Sequence, residues 1–236
     1  MHISQILINN SAEDIPPYIK HCIETIQSLY PEASHSIYDE KKLISFIADN
    51  FEPSVIDAFK SLVPNAYKAD LGRYCLLYKF GGWYFDIAIK PLRRIDLSTD
   101  VDLLAFRDVG LISGTSCSTS NGIIDSKIHN PVFLKAIEMV VKNCHEKFYG
   151  INALSPTGPN LFGEAISIAG SRAKNIFEDV AFLTPLHSNK NKSFVLPDGE
   201  IFSFLKPTDG GDLAALGLSG TNNYVSLYQA RNIYKN

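Results

Sequence analysis

The sequence is poor in the residues that staple small folds. It holds four cysteines in 236 residues, with two methionines and one tryptophan. Cys22, Cys75, Cys117 and Cys144 stand at wide, irregular spacings, which speaks against a disulfide framework or a zinc site. Three of them, Cys22, Cys75 and Cys144, fall in apolar helical patterns and read as buried thiols, so a reducing compartment is expected. Long apolar runs are also missing. None approaches the roughly 18 residues of a membrane span, and the opening "MHISQILINN" is too short and too polar for a signal peptide. Positive charge is not in excess. With a net charge of -3, nothing draws the chain to nucleic acid or to an anionic membrane as bulk partner. Neither GxxxxGK[ST] nor GxGxxG occurs, no Ser/His/Asp or Cys/His arrangement emerges, and the histidines have no partners at ligand spacing. No repeat or low-complexity tract is present.

What is there is an ordinary globular balance, 45% hydrophobic and 20% charged, enough to bury one sizeable core. "ISQILI" (3–8) reads as a strand. "PPYIKHCIETIQSLYP" carries Ile19, Cys22, Ile23, Ile26 and Leu29 at helical spacing. "HSIYD" reads as a second strand, and Asp39 can cap a helix over "EKKLISFIADNF". This strand-helix-strand opening predicts an α/β fold. Helices follow over "PSVIDAFKSLV" and "AYKADLGRYCLLYKF", the latter ended by Gly81-Gly82. "WYFDIAI", "VDLLAFRD", "GLISGTSCS" and "NGIID" read as strands. Asn130-Pro131 starts a long helix, "SPTGPN" turns into another over "LFGEAISIA", and "FVLPDGEIFSFL" carries an Asp-Gly hairpin signal. A glycine-rich loop from Lys206 is long for a connector and suggests a functional cover. A short helix over "YVSLYQARNIY" closes the chain.

The densest stretch is "ADLGRYCLLYKFGGWYFDIAIKPL". Asp70 and Arg73 lie three apart and share a helix face. Asp86 stands alone in a strand-like segment. In a D-x-D pair, two carboxylates share one face of a strand end and can hold Mg²⁺ or Mn²⁺ against a diphosphate. Here the second acid is replaced by Ala88. The plainer alternatives are a strand-end carboxylate taken up by turn amides and a surface ion pair.

The order small residue-Asp, Arg-Tyr, Leu-Tyr, two glycines, aromatic, acid over residues 66–92 resembles the DXD sugar-binding region of glycosyltransferase family 32. That family contains yeast initiating mannosyltransferases and bacterial capsular-polysaccharide transferases. The same run occurs in the glucosylating domains of clostridial toxins. Looser similarity reaches residue 170 through "NGIIDSKIHNPVFLKAI" and "TGPNLFGEAI". The resemblance implies a single-domain α/β GT-A fold, Rossmann-like in binding nucleotide. Residues 1–100 would form a nucleotide-binding half, and residues 101–236 an acceptor half with a covering loop at 206–222. It implies retaining transfer from a UDP- or GDP-sugar to a glycan or glycolipid hydroxyl, in surface-polysaccharide synthesis. No nucleic-acid partner is implied.

Carried over residue by residue, Asp70 and Arg73 would hold sugar hydroxyls, and Asp86 would contact ribose, sugar or metal. Tyr84 would line the nucleotide pocket. Leu7 stands where the family has an aromatic beside the base. Asn121 and the turn at Gly158 are candidates for the sugar pocket. A divalent cation, Mn²⁺ or Mg²⁺, is implied, with Asp86 joined by Asp212, Asn222, Asp209 or Asn223. Alternatively Lys206 or Lys90 supplies the positive charge directly. The expected place is the cytoplasm, or the inner membrane face as a peripheral protein. A second function stays open on Ala88: a nucleotide-sugar-binding module of transferase type without turnover.

Overall fold

The computed structural model describes residues 1–9, 15–170, 174–182, 192–205 and 212–235, apart from the side chains of residues 111 and 112. Lys206 and Asp209 therefore lie outside the described residues. The chain opens with β1 (His2–Ile6), α1 (Pro17–Leu29) and β2 (Ser34–Tyr38). Three helices follow: α2 (Glu40–Asn50), α3 (Pro53–Ser61) and α4 (Asn65–Phe80). The Asp39 carboxylate accepts from the Lys42 amide at 2.7 Å, which caps α2 as its position suggests. Next come β3 (Gly82–Phe85), β4 (Lys90–Pro91), β5 (Leu103–Arg107), the one-turn α5 (Gly110–Ser113) and β6 (Thr119–Ser126). The rest is α6 (Pro131–Glu146), α7 (Pro159–Ala169), β7 (Asn175–Phe182), the hairpin β8 (Lys192–Val195) with β9 (Ile201–Phe204), and α8 (Tyr224–Gln229).

Among the described residues the strands form one sheet in the order β2-β1-β3-β6-β5-β7-β8-β9-β4. β1 runs parallel to β2 and β3, and β5 runs parallel to β7; the antiparallel β6 joins these two groups. The sheet curls. In a flat sheet β3 and β4 would lie six strand spacings apart, about 29 Å. Yet five residue steps, at most about 18 Å, carry the chain from Phe85 to Lys90. The far edge must therefore bend back to meet the chain just after β3.

Alternation along the strands divides the core between two faces. Tyr84, Leu103, Ala105 and Ile124 pack under α4, α6 and α7. Their neighbours Trp83, Phe85, Leu104, Phe106 and Ile123 pack on the other face with Ile26, Tyr30, Phe194 and Phe202. Helix α4 is buried nearly all round, from Tyr67 to Leu77, rather than along the one stripe its sequence suggests. It is the helix through the middle of the layer, and polar Asp70 and Arg73 go inside with it. Cys22, Cys75 and Cys144 are buried free thiols, and Cys117 is exposed.

Two expected strands are corrected. "WYFDIAI" keeps its strand only to Phe85. The Ile89 amide then bonds back to the Asp86 carbonyl at 3.0 Å, so residues 86–89 are a turn. "GLISGTSCS" is not a strand: α5 occupies its start, and Gly114 ends it at φ +73°. Because β5 and β6 are antiparallel, the chain has to reverse there. The alternation of "NIFEDVAF" is weak, and β7 was not legible in it.

Gly82 fixes how closely β1 and β3 approach. Its φ is +73°, and a Cβ there would stand 2.2 Å from the His2 carbonyl oxygen of β1. Gly82→Ala is expected to lower the unfolding free energy by about 3 kcal/mol, summing a left-handed penalty and an overpacking cost. Urea unfolding followed by Trp83, the one tryptophan of the chain, measures it. A variant within about 1 kcal/mol of the parent, below the usual range of such costs, would show that β1 can give way.

Candidate functional site

The carboxyl ends of the parallel strands β1, β3, β5 and β7 open into a cavity of about 430 Å³. This edge is where open α/β sheets bind ligands, and the volume suits a small-molecule ligand. Asp86 stands there because β3 ends one residue earlier. Its amide is still held by the Gly122 carbonyl of β6 at 2.8 Å. Its Oδ1 accepts from the Tyr84 hydroxyl at 3.0 Å and from Arg73 Nη1 at 3.0 Å.

Arg73 is the hub. Nη2 lies 3.1 Å from Asp70 Oδ1, Nη1 also donates to the Asn121 carbonyl at 2.5 Å, and Nε donates to the Ala69 carbonyl at 3.3 Å. The guanidinium lies over the Tyr84 ring, 4.6 Å from its centroid. Burial opposes its charge, but Asp86, Tyr84 and Asp70 outweigh that and hold Arg73 above its ordinary range. Asp70 is as deeply placed. Burial pushes its carboxyl up, with Arg73 and the Thr157 hydroxyl pulling it back. Thr157 donates to Oδ2 at 2.7 Å, and Asn121 Nδ2 donates to Oδ1 at 2.9 Å. The same Asn121 amide donates to the Tyr74 hydroxyl at 2.9 Å, which in turn donates to the Thr157 carbonyl at 2.8 Å. The cluster thus sets two carboxyl groups around one guanidinium.

Two glycines keep this cluster open to a ligand. A Cβ on Gly122 would lie 3.1 Å from Asp86 Oδ2, and one on Gly158 would lie 3.5 Å from Asp70 Oδ2. Both glycines line the cavity with Asp70, Arg73, Tyr84, Asp86 and Asn121. Asp86 Oδ2 makes no hydrogen bond among the described residues. A ring hydroxyl can therefore reach either carboxylate, while Arg73 and Asn121 hold both in place.

The other expected site residues are placed differently. Leu7 turns away from the cavity into an apolar cluster with Ile19, Ile23, Ile87, Ala88 and Leu218; its neighbours Ile6 and Ile8 line the cavity instead. Ala88 is buried in that cluster and also borders the cavity. Asp212 does not line it, and its Oδ1 accepts from the Ala214 amide at 3.1 Å. Asn222 does line it, but its Oδ1 accepts from the first amide of α4, Asn65, at 2.8 Å, and its Nδ2 donates to the Val63 carbonyl at 3.1 Å. Asn223 caps α8. The side chains of Asp212 and Asn222, expected at a metal, both bond to the backbone here. Lys90 lies in β4 and does not line the cavity. Lys206 and Asp209 are outside the described residues.

Three lining residues were missed from the sequence. Tyr224 faces Tyr67 at 5.8 Å; burial pushes its hydroxyl up, with Asp70, Asp108 and Asp86 adding to it. Asp108 follows β5 as Asp86 follows β3, a parallel that "AFRD" beside "WYFD" could have signalled. Lys192 opens β8 and lies 3.5 Å from Asp108; no sequence motif marks it.

Residues 16–105 match the family model described as "Glycosyltransferase sugar-binding region containing DXD motif". An uncharacterised glycosyltransferase of Acanthamoeba polyphaga mimivirus is 26% identical over 66% of this chain and 60% of its own length. Inositol phosphoceramide mannosyltransferase 2 of Schizosaccharomyces pombe is 28% identical over 62% of this chain and 41% of its own. The chain thus spans less than two thirds of the length of these curated relatives. Among solved structures, PaToxG Glycosyltransferase superposes with a TM-score of 0.54 at 18% identity, covering 71% of this chain and 68% of that one. This likeness shows the fold: a mixed α/β GT-A domain. The chain is thus similar over residues 16–105 to glycosyltransferase sugar-binding regions of the DXD type; within that stretch it carries Asp86 and, two residues on, Ala88.

Proposed function

We propose that the protein is a retaining glycosyltransferase that moves a hexosyl group from a nucleoside-diphosphate sugar to a hydroxyl of a glycan or glycolipid. The observation that carries this reading is the buried Asp70–Arg73–Asp86 cluster, open through Gly122 and Gly158 to the cavity. Asp70, Asn121 and Asp86 bind and orient the donor sugar. As the bond from the anomeric carbon to the phosphate oxygen lengthens, positive charge grows on the ring. The carboxyl oxygens of the cluster stabilise that charge without reorganising, because its hydrogen bonds are already made. The acceptor oxygen attacks from the face the phosphate leaves, its proton passes to the departing phosphate oxygen, and the nucleoside diphosphate is released. Both carboxylates are tied to one guanidinium, which suits them to hold hydroxyls and charge rather than to attack carbon. The name of the Schizosaccharomyces pombe relative supports a mannosyl donor and a lipid-linked acceptor. A place in surface-polysaccharide synthesis is consistent with either acceptor.

A divalent cation is what the family relationship implies, but the described donors do not fit one held by the protein. No three His, Cys, Asp or Glu side chains meet among the described residues. Asp86 Oδ1 is committed to Arg73 and Tyr84, residue 88 is alanine in an apolar cluster, and Asp212 and Asn222 serve the backbone. The same Ala88 favours a second reading, a binding module of transferase type without turnover. Hydrolysis of a UDP- or GDP-sugar in the absence of acceptor separates the two, since only the enzyme releases free sugar.

Nucleotide recognition is tested by calorimetry. UDP or GDP is expected to bind at least tenfold more tightly than its monophosphate, about 1.4 kcal/mol. Equal affinities within both pairs would overturn the reading.

Arg73→Lys keeps the charge but loses the planar fork that serves Asp70, Asp86 and the Asn121 carbonyl together. The expected fall in kcat/KM is at least tenfold, about 1.4 kcal/mol of transition-state binding. Parent kinetics in this variant would show that the fork does not position the site.

Ala88→Asp would bury a carboxylate against Leu7, Ile19, Ile23 and Leu218. It is expected to cost about 1–3 kcal/mol of stability, with no recovery on adding Mn²⁺. If Mn²⁺ restored the parental Tm, position 88 would be a vacated metal position after all.

A further inference from the structure

The far wall of the cavity carries a second charged pair that the mechanism above does not use. Asp108 stands just beyond β5, and Lys192 is the first residue of β8. Both line the cavity, and their side chains are only 10% and 7% exposed. Both lie outside the family-matched segment 16–105. Lys192 Nζ is 3.5 Å from Asp108 Oδ1, longer than the usual 2.7–2.9 Å of a charge-assisted hydrogen bond. Asp108 Oδ1 also accepts from the Val109 amide at 2.8 Å. Oδ2 accepts no hydrogen bond among the described residues. The ammonium has three donors and one long contact; the Phe182 ring beside it, 5.8 Å away, offers a π face. A buried ammonium and a buried carboxylate thus face the cavity with hydrogen-bonding capacity left over, which is costly unless a ligand takes it up.

The charge on this wall decides what that ligand is. Lysine and aspartate cancel, so the pair offers no net attraction to a diphosphate, and the carboxylate would repel one. What the pair offers is one acceptor and two or more donors a few ångströms apart. That matches a neutral polyol with adjacent hydroxyls, one donating to Asp108 Oδ2 and the next accepting from Lys192 Nζ. Position agrees with this. Asp108 ends β5, two strand places from β3 and Asp86, about 10 Å across the sheet. A sugar ring held at Asp70 and Asp86 leaves this wall beside it, not beneath it. We infer that Asp108 and Lys192 form the acceptor subsite and read two adjacent hydroxyls of a saccharide acceptor. This deepens the transferase reading and rests on it.

The test uses the whole chain with UDP or GDP bound and the methyl α-glycosides of mannose, glucose and galactose as probes. Saturation-transfer NMR is expected to show at least one glycoside binding to the parent protein. That signal should be lost in Asp108→Asn/Lys192→Met, which removes both charges together so that neither is left buried alone. Nucleotide affinity by calorimetry and acceptor-free donor hydrolysis should stay within about twofold of the parent, a difference of about 0.4 kcal/mol. In transfer assays the acceptor KM should rise at least tenfold. Lys192→Arg, which keeps a donor fork on the wall, should retain glycoside binding if it folds as the parent does. An unchanged glycoside signal in the double variant overturns the subsite. So does the absence of any glycoside signal in the parent with nucleotide bound, or a loss of nucleotide affinity parallel to the loss of glycoside. A parent protein that binds no nucleotide sinks the transferase reading itself, and the subsite with it.

Discussion

A guanidinium buried between two carboxylates sets the terms for the rest of this structure. Arg73 is 4% exposed, and a lone cation so deep would be untenable. It is kept charged by Asp70 from its own helix, Asp86 from the end of β3, and the Asn121 carbonyl from β6. Each partner arrives on a different element, so the helix and the two strands can be assembled in only one relative position without leaving a charge unpaired. Gly82 lets β3 lie close to β1, and Gly72 lets α4 lie within contact of Ile6 and Leu43. These close approaches put the acid of the turn against the base of the helix. The site is therefore preorganised by packing before any substrate arrives.

The curl of the sheet supplies the second constraint. Residues 86–89 must both end β3 and return the chain to β4 at the far edge. A tight turn does this, and it changes what the short acidic motif can be. On a strand, positions 86 and 88 would share one face as a matched pair. In the turn they diverge: Asp86 reaches back to Arg73 and Tyr84, while Ala88 packs against Leu7 and α1 residues Ile19 and Ile23. The second position of the motif has been drawn into apolar packing. The consequence runs from sequence to chemistry: one acid is left, and it is committed to a side chain.

Much of this was legible in the sequence because it is local. The spacing of Ile19, Cys22, Ile23 and Ile26 gives α1, Asp39 caps α2, and the Asp-Gly turn gives the β8–β9 hairpin. The ordered run from Ala66 to Leu92 marked Asp70, Arg73, Tyr84 and Asp86 before their contacts were known. What was not legible depends on pairings distant in sequence. Nothing in "GLISGTSCS" says that its neighbours run antiparallel and force a reversal at Gly114. Strand β7 is written in half-polar residues because it is shielded by its partners, not by its own alternation. Leu7 was placed beside the nucleotide by analogy with an aromatic, but strand alternation sends it to the opposite side from Ile6 and Ile8. Asn222 looked like a free oxygen ligand, and only the fold shows that its amide is bound to the start of α4.

The distribution of charge along the cavity ties these points together. One end holds two carboxyl groups around one guanidinium, which under the proposed function would meet the sugar ring as its bond to phosphate weakens. The other end holds Asp108 and Lys192, whose charges cancel. Neither end offers a net positive charge among the described residues, so under the proposed function a diphosphate would find its counter-charge outside the two clusters. Of the described residues beyond Leu205, Leu213, Thr221 and Asn222 line the cavity, and Asn222 bonds to the first turn of α4. Under the proposed function, a nucleotide bound beside Ile6, Ile8 and Tyr224 would lie against Thr221 and Asn222 and against the amino end of α4, where backbone N–H groups favour negative charge. Donor binding and acceptor reading would then be carried by separate walls of one cavity. Under the proposed function, changes in acceptor preference would arise at β5 and β8 without disturbing the buried Asp70–Arg73–Asp86 cluster.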